Sequence, residues 1–179
     1  MKSSTDGALA VLEESGQKFY ALLLRLTLRA DVAEDLLQEL FLRLSRSAAF
    51  ASAENRTAYA CRAVVHLAFD WRQAQHPVKD GVDLKNHAEP DATPPLQILI
   101  EREQMDRVLE VVGKLNGLQR HALVMHYIQQ ESFQSIAQQI GKTPHQARAL
   151  CHKAIRQLRS RLSMDESSGN PKENPRGKD

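Results

Sequence analysis

The sequence predicts an all-α protein made of two small helical domains joined by a flexible linker, with a helix-turn-helix in the C-terminal domain. Apolar and polar residues never alternate for long, and aromatic residues make up only 5% of a chain rich in Leu, Ala, Gln, Glu and Arg. Residues 76–95 hold four prolines and four acids with almost no apolar periodicity, which is typical of a solvated linker. Ala137, Gly141 and Ala147 have the spacing of a helix-turn-helix.

These breaks divide the chain into four segments. Residues 1–75 are the first predicted domain, 76–95 the linker, 96–163 the second domain and 164–179 a disordered tail. The tail has no large apolar residue except Met164, so no burial would offset the entropy lost on ordering it.

Three helices are predicted in the first domain. The first covers about 8–29, and the second begins at Asp31, with Glu34 placed as in a capping box, and ends near residue 46. The third starts after a capping Asn55 and reaches about residue 73. The apolar stripe of the second helix follows helical spacing and consists of Ala33, Leu36, Leu37, Leu40, Phe41 and Leu44.

Four helices are predicted in the second domain. One begins near the Pro94–Pro95 pair and continues to Gly113, and a short one covers 118–127 after the break at Asn116. Ser132 caps a helix that Gly141 terminates. Thr143 caps the last helix, which begins at Pro144 and can run to Leu162. The inner face of this last helix consists of Ala147, Leu150, Cys151, Ala154, Ile155 and Leu158.

Composition disfavours several classes of protein. A chain of 179 residues can bury one moderate core or two small ones, which excludes a large multidomain enzyme. Cys61 and Cys151 lie far apart without CxxC spacing, which disfavours a disulfide scaffold or structural zinc and favours the reducing cytoplasm. The N-terminus lacks the apolar core of a signal peptide, and no run approaches about 18 apolar residues, so we expect no membrane insertion.

No catalytic or metal-binding pattern stands out. His121 and His126 are five positions apart and His145 and His152 seven, so neither pair has the i, i+4 spacing of a helical metal site. No GxSxG, Walker or GxGxxG string occurs. We therefore expect no enzymatic activity, no cofactor and no metal. The histidines are interpreted as surface or DNA-facing residues and the cysteines as buried, inert thiols.

The last predicted helix carries the strongest functional signal, which is DNA binding. Residues 142–161 contain six Lys or Arg and no acid, and 96–163 contain ten basic against five acidic residues. Gln suits adenine and Arg suits guanine in the major groove, whereas cations further along hold phosphates. The alternative is a solvated basic helix in a small bundle. The candidate DNA-binding residues are His145, Gln146, Arg148, His152, Lys153 and Arg156.

Two weaker groups of residues lie in the first domain. Asp35, Gln38 and Glu39 fall at i, i+3 and i+4, so they share an acidic, amide-bearing face that alone indicates only a solvated surface. In the third helix, aromatic and basic residues are interleaved, which suits stacking with unpaired bases. Burial of most of the rings in the core is the simpler interpretation at this point. The interleaved residues are Tyr59, Arg62, His66, Phe69, Trp71 and Arg72.

Taken in their order along the chain, the second helix, the third helix and the second domain resemble a short sigma factor of the extracytoplasmic-function type. This type belongs to the sigma-70 family of bacterial transcription initiation factors. The second helix matches the family pattern D-x-x-Q-E-x-F with Asp35, Gln38, Glu39 and Phe41. The segment NRTAYACRAVVHLAFDWRQ is similar to the part that recognises and melts the minus-ten promoter element. Residues 115–162 resemble the domain that reads the minus-thirty-five element. The resemblance covers about residues 19–162.

The resemblance implies a non-enzymatic subunit that binds core RNA polymerase and directs promoter-specific initiation. Its partners would be the clamp helices and flap of the polymerase, promoter DNA and an inhibitory anti-sigma factor. The helix from Thr143 would enter the upstream major groove. The residues docking on the clamp helices would be Asp35, Gln38 and Glu39. Those meeting the melted minus-ten strand would be Arg62, His66, Trp71 and Arg72.

The chain departs from the family at several positions. His66 stands where the family usually has Asn, and Gln146 where it has Thr. Ser135 replaces a Glu, which removes the capping box expected with Ser132. Two other functions therefore stay open. One is a free-standing helix-turn-helix regulator, which would not need the acidic face, and the other is a degenerate sigma-like adaptor that does not initiate transcription.

Overall fold

A computed structural model of the chain describes residues 4–75 and 96–168, and all regular structure within these ranges is helical. The helices are α1 (Ser4–Thr27), α2 (Ala30–Arg46), α3 (Ala48–Ala51), α4 (Arg56–Gln75), α5 (Leu96–Gly113), α6 (Gly117–Tyr127), α7 (Phe133–Ile140) and α8 (Pro144–Ser168). The predicted all-α class is confirmed. Within the described ranges, no helix has the length and hydropathy needed to cross a membrane. Helix α8 continues to Ser168, so the prediction that disorder begins at residue 164 is wrong for residues 164–168. The predicted linker and the tail beyond 168 lie outside the described residues.

The N-terminal helices α1, α2 and α4 pack against one another around a shared apolar core. Each contributes apolar residues at helical spacing, among them Leu23 of α1, Leu40 of α2 and Val64 of α4, all fully buried. The short helix α3, which the sequence analysis missed, begins where the Ser47 hydroxyl accepts a hydrogen bond from the Phe50 N–H at 3.1 Å. Its one large side chain, Phe50, is fully buried in this core.

The start of α2 differs from the prediction. The helix begins at Ala30 with Arg29 at the N-cap position, so the prediction of Asp31 as capping residue is wrong. Asp31 lies in the first turn instead, where its carboxylate accepts hydrogen bonds from the Arg29 guanidinium. The reason is the preceding turn, in which the Thr27 hydroxyl accepts from the Arg29 N–H and Leu28 takes a left-handed backbone conformation. This turn places the N-cap two residues earlier than the capping pattern suggests.

The C-terminal helices α5, α6 and α7 surround the inner face of α8. Two of these helices begin at side-chain caps, namely the predicted Ser132 and Asn116, which was predicted only as a break in the chain. The Asn116 carboxamide accepts from the Leu118 N–H at 3.0 Å, and the Ser132 hydroxyl accepts from the Ser135 N–H at 3.2 Å. The predicted cap of α4 in the N-terminal bundle is present too, because the Asn55 carboxamide accepts from the Ala58 N–H at 2.8 Å.

The two groups of helices contact each other. Helix α4 packs against α5, α6 and α7, and the buried side chains of both groups form one continuous apolar cluster. Phe69 of α4 lies so close to Gly113 that a Cβ added there would sit 3.5 Å from the ring. The Arg120 guanidinium lies 4.8 Å from the centre of the same ring. The division of the chain into two separate domains stays a prediction. In the described residues, the N-terminal and C-terminal helices pack against each other.

Candidate nucleic-acid interface

The predicted helix-turn-helix is formed by α7, residues 141–143 and α8. Gly141 ends α7 with a φ of 64°, a left-handed conformation that residues with a side chain rarely adopt. The Lys142 N–H donates to the Ala137 carbonyl at 2.9 Å and completes the turn. Ala137 and Ala147 are both buried, and their small side chains allow the two helices to approach closely. The sequence spacing therefore produces the expected motif.

The outer face of α8 is basic and exposed. All six predicted DNA-binding residues lie on this face, because the buried residues Ala147, Cys151, Ala154 and Leu158 turn the opposite side inward. No acid occurs between 142 and 161 to offset the six cations. A polyanion such as duplex DNA would therefore contact a surface whose charged side chains are all positive. The exposed residues are His145, Gln146, Arg148, His152, Lys153 and Arg156.

Two of these side chains also make contacts within the protein. The Gln146 carboxamide oxygen accepts from the Thr143 N–H at 3.1 Å, and the Gln146 N–H donates to the Thr143 hydroxyl at 3.2 Å. This reciprocal pair is a capping box at the start of α8. The Arg148 guanidinium lies 5.2 Å from the centre of the Phe133 ring, a contact that orients it. Their predicted roles in reading bases stay predictions.

The capping box gives Gln146 a measurable structural role. We expect Gln146→Ala to lower the free energy of unfolding by about 0.5–1 kcal/mol, because the Thr143 N–H loses its partner at the start of the helix. Urea denaturation followed by circular dichroism measures this, with Gln134→Ala on an exposed site of α7 as the matched control. If Gln146→Ala matched the control in stability but weakened binding to only one DNA sequence, the side chain would be a base reader without a capping role.

The start of α7 keeps an acidic partner despite Ser135. The Ser135 hydroxyl donates to the Glu131 carboxylate at 2.6 Å, and the Gln139 carboxamide donates to the same oxygen. Glu131 precedes the capping Ser132, so it binds the first turn from outside the helix. The capping box is lost as expected, but the Ser132 hydroxyl still caps α7. The Glu131 carboxylate adds a contact that was not predicted.

The histidines divide into a packed pair and an exposed pair. His121 is buried, its Nε2 lies 3.1 Å from the Gln139 carboxamide oxygen, and burial lowers its pKa to about 4. His126 stacks on Phe133 with the ring centres 4.2 Å apart. The interpretation of these two as surface or DNA-facing residues is therefore wrong for His121, and His126 is only half exposed. Within the described ranges, no group of three His, Cys, Asp or Glu side chains is placed to hold a metal.

The two cysteines are free thiols. Cys151 is buried in the inner face of α8, and Cys61 of α4 is half-buried beside the C-terminal helices. Burial raises the pKa of Cys61 to about 11, and the negative charge of Glu131 adds to this effect. At neutral pH the thiol is therefore protonated, which makes it a weak nucleophile.

The acidic face of α2 is exposed as predicted. Asp35, Gln38 and Glu39 all point away from the buried residues Leu40 and Leu44 of the same helix. The three side chains lie on one face because they are three and four residues apart. They form a continuous polar surface, which we call the acidic face.

The four predicted strand-binding residues of α4 are not equally accessible. His66 is exposed and Trp71 half-buried, while the Arg62 guanidinium lies 5.9 Å from the centre of the Tyr59 ring. Partial desolvation of the ring and the neighbouring Arg120 lower the pKa of His66, which favours the neutral form of the ring. Arg72 differs from the others, because it is only 5% exposed and its guanidinium donates to the Asp106 carboxylate at 2.6 Å.

Three residues of this region were missed by sequence reasoning: Asp106, Arg120 and Glu131. Asp106 pairs with Arg72 over 34 positions, and Arg120 lies on a ring 51 positions earlier in the chain. Neither contact can be inferred from the helical periodicity of the sequence, because the partners lie on different helices. Glu131 was detectable in principle, since an acid directly before a capping Ser lies beside the N–H groups of the first turn.

Comparison with known proteins identifies the C-terminal half. Residues 105–158, from within α5 to within α8, match the sequence family described as sigma-70, region 4. No curated protein sequence matches the chain. The solved structure of the sigma factor RpoE in complex with the anti-sigma factor NepR, from Bartonella quintana, is similar at 19% identity and a TM-score of 0.46, covering 92% of this chain and 99% of that chain. The region 4 match contains the whole helix-turn-helix and the six exposed residues of α8. The match to sigma-70 region 4 is confined to these residues of the C-terminal helices, which are less than a third of the chain.

Proposed function

We propose that this protein is a sigma factor of the extracytoplasmic-function type, which binds core RNA polymerase and directs initiation at specific promoters. The observation that carries the proposal is the region 4 match, because it falls on a helix-turn-helix whose recognition helix is exposed and carries no acid up to residue 161. The protein acts as a non-enzymatic subunit in the cytoplasm. Its specificity comes from the DNA elements that its helices bind.

The recognition helix α8 supports reading of the minus-thirty-five element. Its N-terminal residues, including Arg148, are exposed at the end that a helix-turn-helix inserts into the major groove. Arg is suited to a bidentate contact with guanine, whereas Lys153 and Arg156, further along the helix, are placed for phosphates. Base reading and phosphate contact are thus assigned to different turns of one helix.

The acidic face of α2 supports docking on the polymerase. Its two carboxylates, Asp35 and Glu39, are exposed and separated by one helical turn, with the Gln38 carboxamide between them. Such a face suits a basic surface on a partner helix, where opposite charges give specificity. A duplex-binding regulator would not need this face.

Helix α4 supports binding of the melted minus-ten strand. His66, Trp71 and Arg62 combine partly exposed rings with a cation, which is the chemistry that binds unstacked bases. Unpairing a few base steps costs a few kcal/mol, and stacking on side chains of about 1–3 kcal/mol per base offsets this cost. Promoter opening then proceeds without ATP.

Size-exclusion chromatography of the purified protein with bacterial core RNA polymerase tests the proposal. We expect the protein to co-elute with the core enzyme, under conditions in which a known sigma factor does so. Absence of co-elution, together with binding of duplex DNA by the protein alone, would contradict it and favour a free-standing regulator.

A further inference from the structure

A histidine, a phenylalanine and an arginine form a chain of contacts across the C-terminal helices. The His126 imidazole, in the last turn of α6, stacks on the Phe133 ring at the start of α7, with the ring centres 4.2 Å apart and the planes at 25°. The Arg148 guanidinium of α8 lies 5.2 Å from the centre of the same Phe133 ring. We call His126, Phe133 and Arg148 the arginine stack. It connects the predicted base reader of α8 to both preceding helices.

The histidine end of the arginine stack is held by hydrogen bonds. The His126 Nδ1 lies 3.0 Å from the Glu131 carbonyl oxygen, and because a carbonyl only accepts, Nδ1 is the donor. Glu131 is held in turn, since its carboxylate accepts from the Ser135 hydroxyl at 2.6 Å. The His126 and Phe133 side chains are both half-buried. The Phe133 ring therefore presents to α8 a surface whose position is set by α6 and α7.

Arg148 is the exposed end of the arginine stack. It lies in the second turn of α8, at the end that a helix-turn-helix inserts into the major groove. No acid occurs between residues 142 and 161, and among the described residues Arg148 takes part in no ion pair. Among the described cations of α8, it is the one that contacts an aromatic ring. The contact with Phe133 therefore orders its guanidinium before any DNA is bound.

Ordering of the guanidinium acts on sequence preference more than on total affinity. A bidentate contact with guanine needs both N–H donors in a fixed plane, and a side chain already held there loses less conformational entropy on binding. A mobile arginine can turn to a phosphate instead, and phosphates carry no sequence information. Loss of the ring contact would therefore reduce the difference between a matching and a non-matching duplex.

We propose that His126 and Phe133 are positioning residues that determine the base preference of Arg148, by holding its guanidinium ready for a guanine of the minus-thirty-five element. The inference rests on the proposed sigma function and adds two residues that act on DNA only through Arg148. It gives His126 a role that its half-buried position allows, since the ring faces Phe133 and the Glu131 carbonyl.

Competition binding by the full chain in complex with core RNA polymerase tests the inference. The probe is a minus-thirty-five duplex that the wild-type holoenzyme selects from a randomised library, and the competitor is a scrambled version of it. Phe133→Leu keeps an apolar side chain but removes the ring, so we expect the preference for the selected duplex to fall by about 2- to 5-fold, the effect of losing one exposed cation–π contact. His126→Ala should lower the preference in the same direction, and it covers the case in which Phe133→Leu does not fold. Phe133→Tyr keeps the ring and should retain the wild-type preference.

The Arg148→Ala background separates positioning from a general structural role. A residue that acts only through Arg148 has no further effect there, so Phe133→Leu combined with Arg148→Ala should show the same preference as Arg148→Ala alone. A further loss in the double variant would overturn the inference, because Phe133 would then support the whole motif. The control is Gln134→Ala, on an exposed site of α7, which should keep the wild-type preference.

Two other results are distinguishable from each other. An unchanged preference in both Phe133→Leu and His126→Ala, with helicity retained, would overturn the inference while leaving the sigma function intact. If the wild-type holoenzyme selected no sequence at all, the proposed sigma function would be wrong and the inference would be lost with it.

Discussion

The double charge reversal Asp35→Arg, Glu39→Arg is expected to abolish co-elution with core RNA polymerase. Both side chains are exposed and outside the core of α2, so the substitution changes the surface without removing a buried contact. Placing two cations against a basic partner surface costs several kcal/mol, and about 3 kcal/mol already corresponds to a loss of affinity of about 150-fold. Size-exclusion chromatography at micromolar concentration detects a loss of this size.

The matched control for this prediction is Glu13→Arg, Glu14→Arg on α1. These residues are also exposed, also acidic and also near the N-terminal bundle, and their reversal changes the net charge by the same amount. The control variant should co-elute as wild type does. Equal loss of binding in both variants would show that total charge, rather than the acidic face, governs the association. Full binding by the first variant would remove the assigned role of Asp35 and Glu39.

The second large effect is expected at Arg148. Replacing it with Ala should reduce the preference for the cognate minus-thirty-five duplex over a scrambled one by about 5- to 150-fold, the equivalent of 1–3 kcal/mol for a bidentate contact. The Phe133 ring holds the guanidinium in place, so little entropy is lost when it binds a base. Competition binding with the two duplexes measures the preference directly.

Lys153→Ala on the same helix is the comparison for Arg148. We expect it to weaken binding to both duplexes alike and to reduce the slope of log affinity against log salt by about one, because one phosphate contact is lost. If Arg148→Ala lowered affinity equally on both duplexes, Arg148 would be a phosphate contact too. If Lys153→Ala left the salt slope unchanged, its assignment to phosphate would be wrong.

The helical fold was predictable because its signals are local. Apolar stripes, the caps Asn55 and Ser132 and the terminating Gly141 each depend on residues within one or two turns, and the structure contains all of them. The start of α2 was placed wrongly because Asp31 fits the capping pattern, while the turn is set by the Thr27 hydroxyl and the left-handed Leu28. Two local signals competed there, and the sequence did not show which prevails.

The candidate site was predictable to a smaller degree. The exposed faces of α2 and α8 follow from helical periodicity, so their residues were found together. The contacts between the halves depend on pairs such as Arg72 and Asp106, which are distant in sequence and carry no periodic signal. Gln146 shows a different difficulty, because one side chain fits both base reading and capping, and only the structure reveals the capping contact.

Promoter-specific initiation is the central claim, and run-off transcription tests it most directly. Core RNA polymerase would be supplied with the wild-type protein on fragmented genomic DNA of the source organism, and the 5′ ends of the transcripts mapped. A sigma factor produces a discrete set of 5′ ends that core enzyme alone does not make and that Asp35→Arg, Glu39→Arg protein fails to make. If the wild-type protein binds the core enzyme yet adds no 5′ ends, the protein is a sigma-like adaptor and the account is wrong.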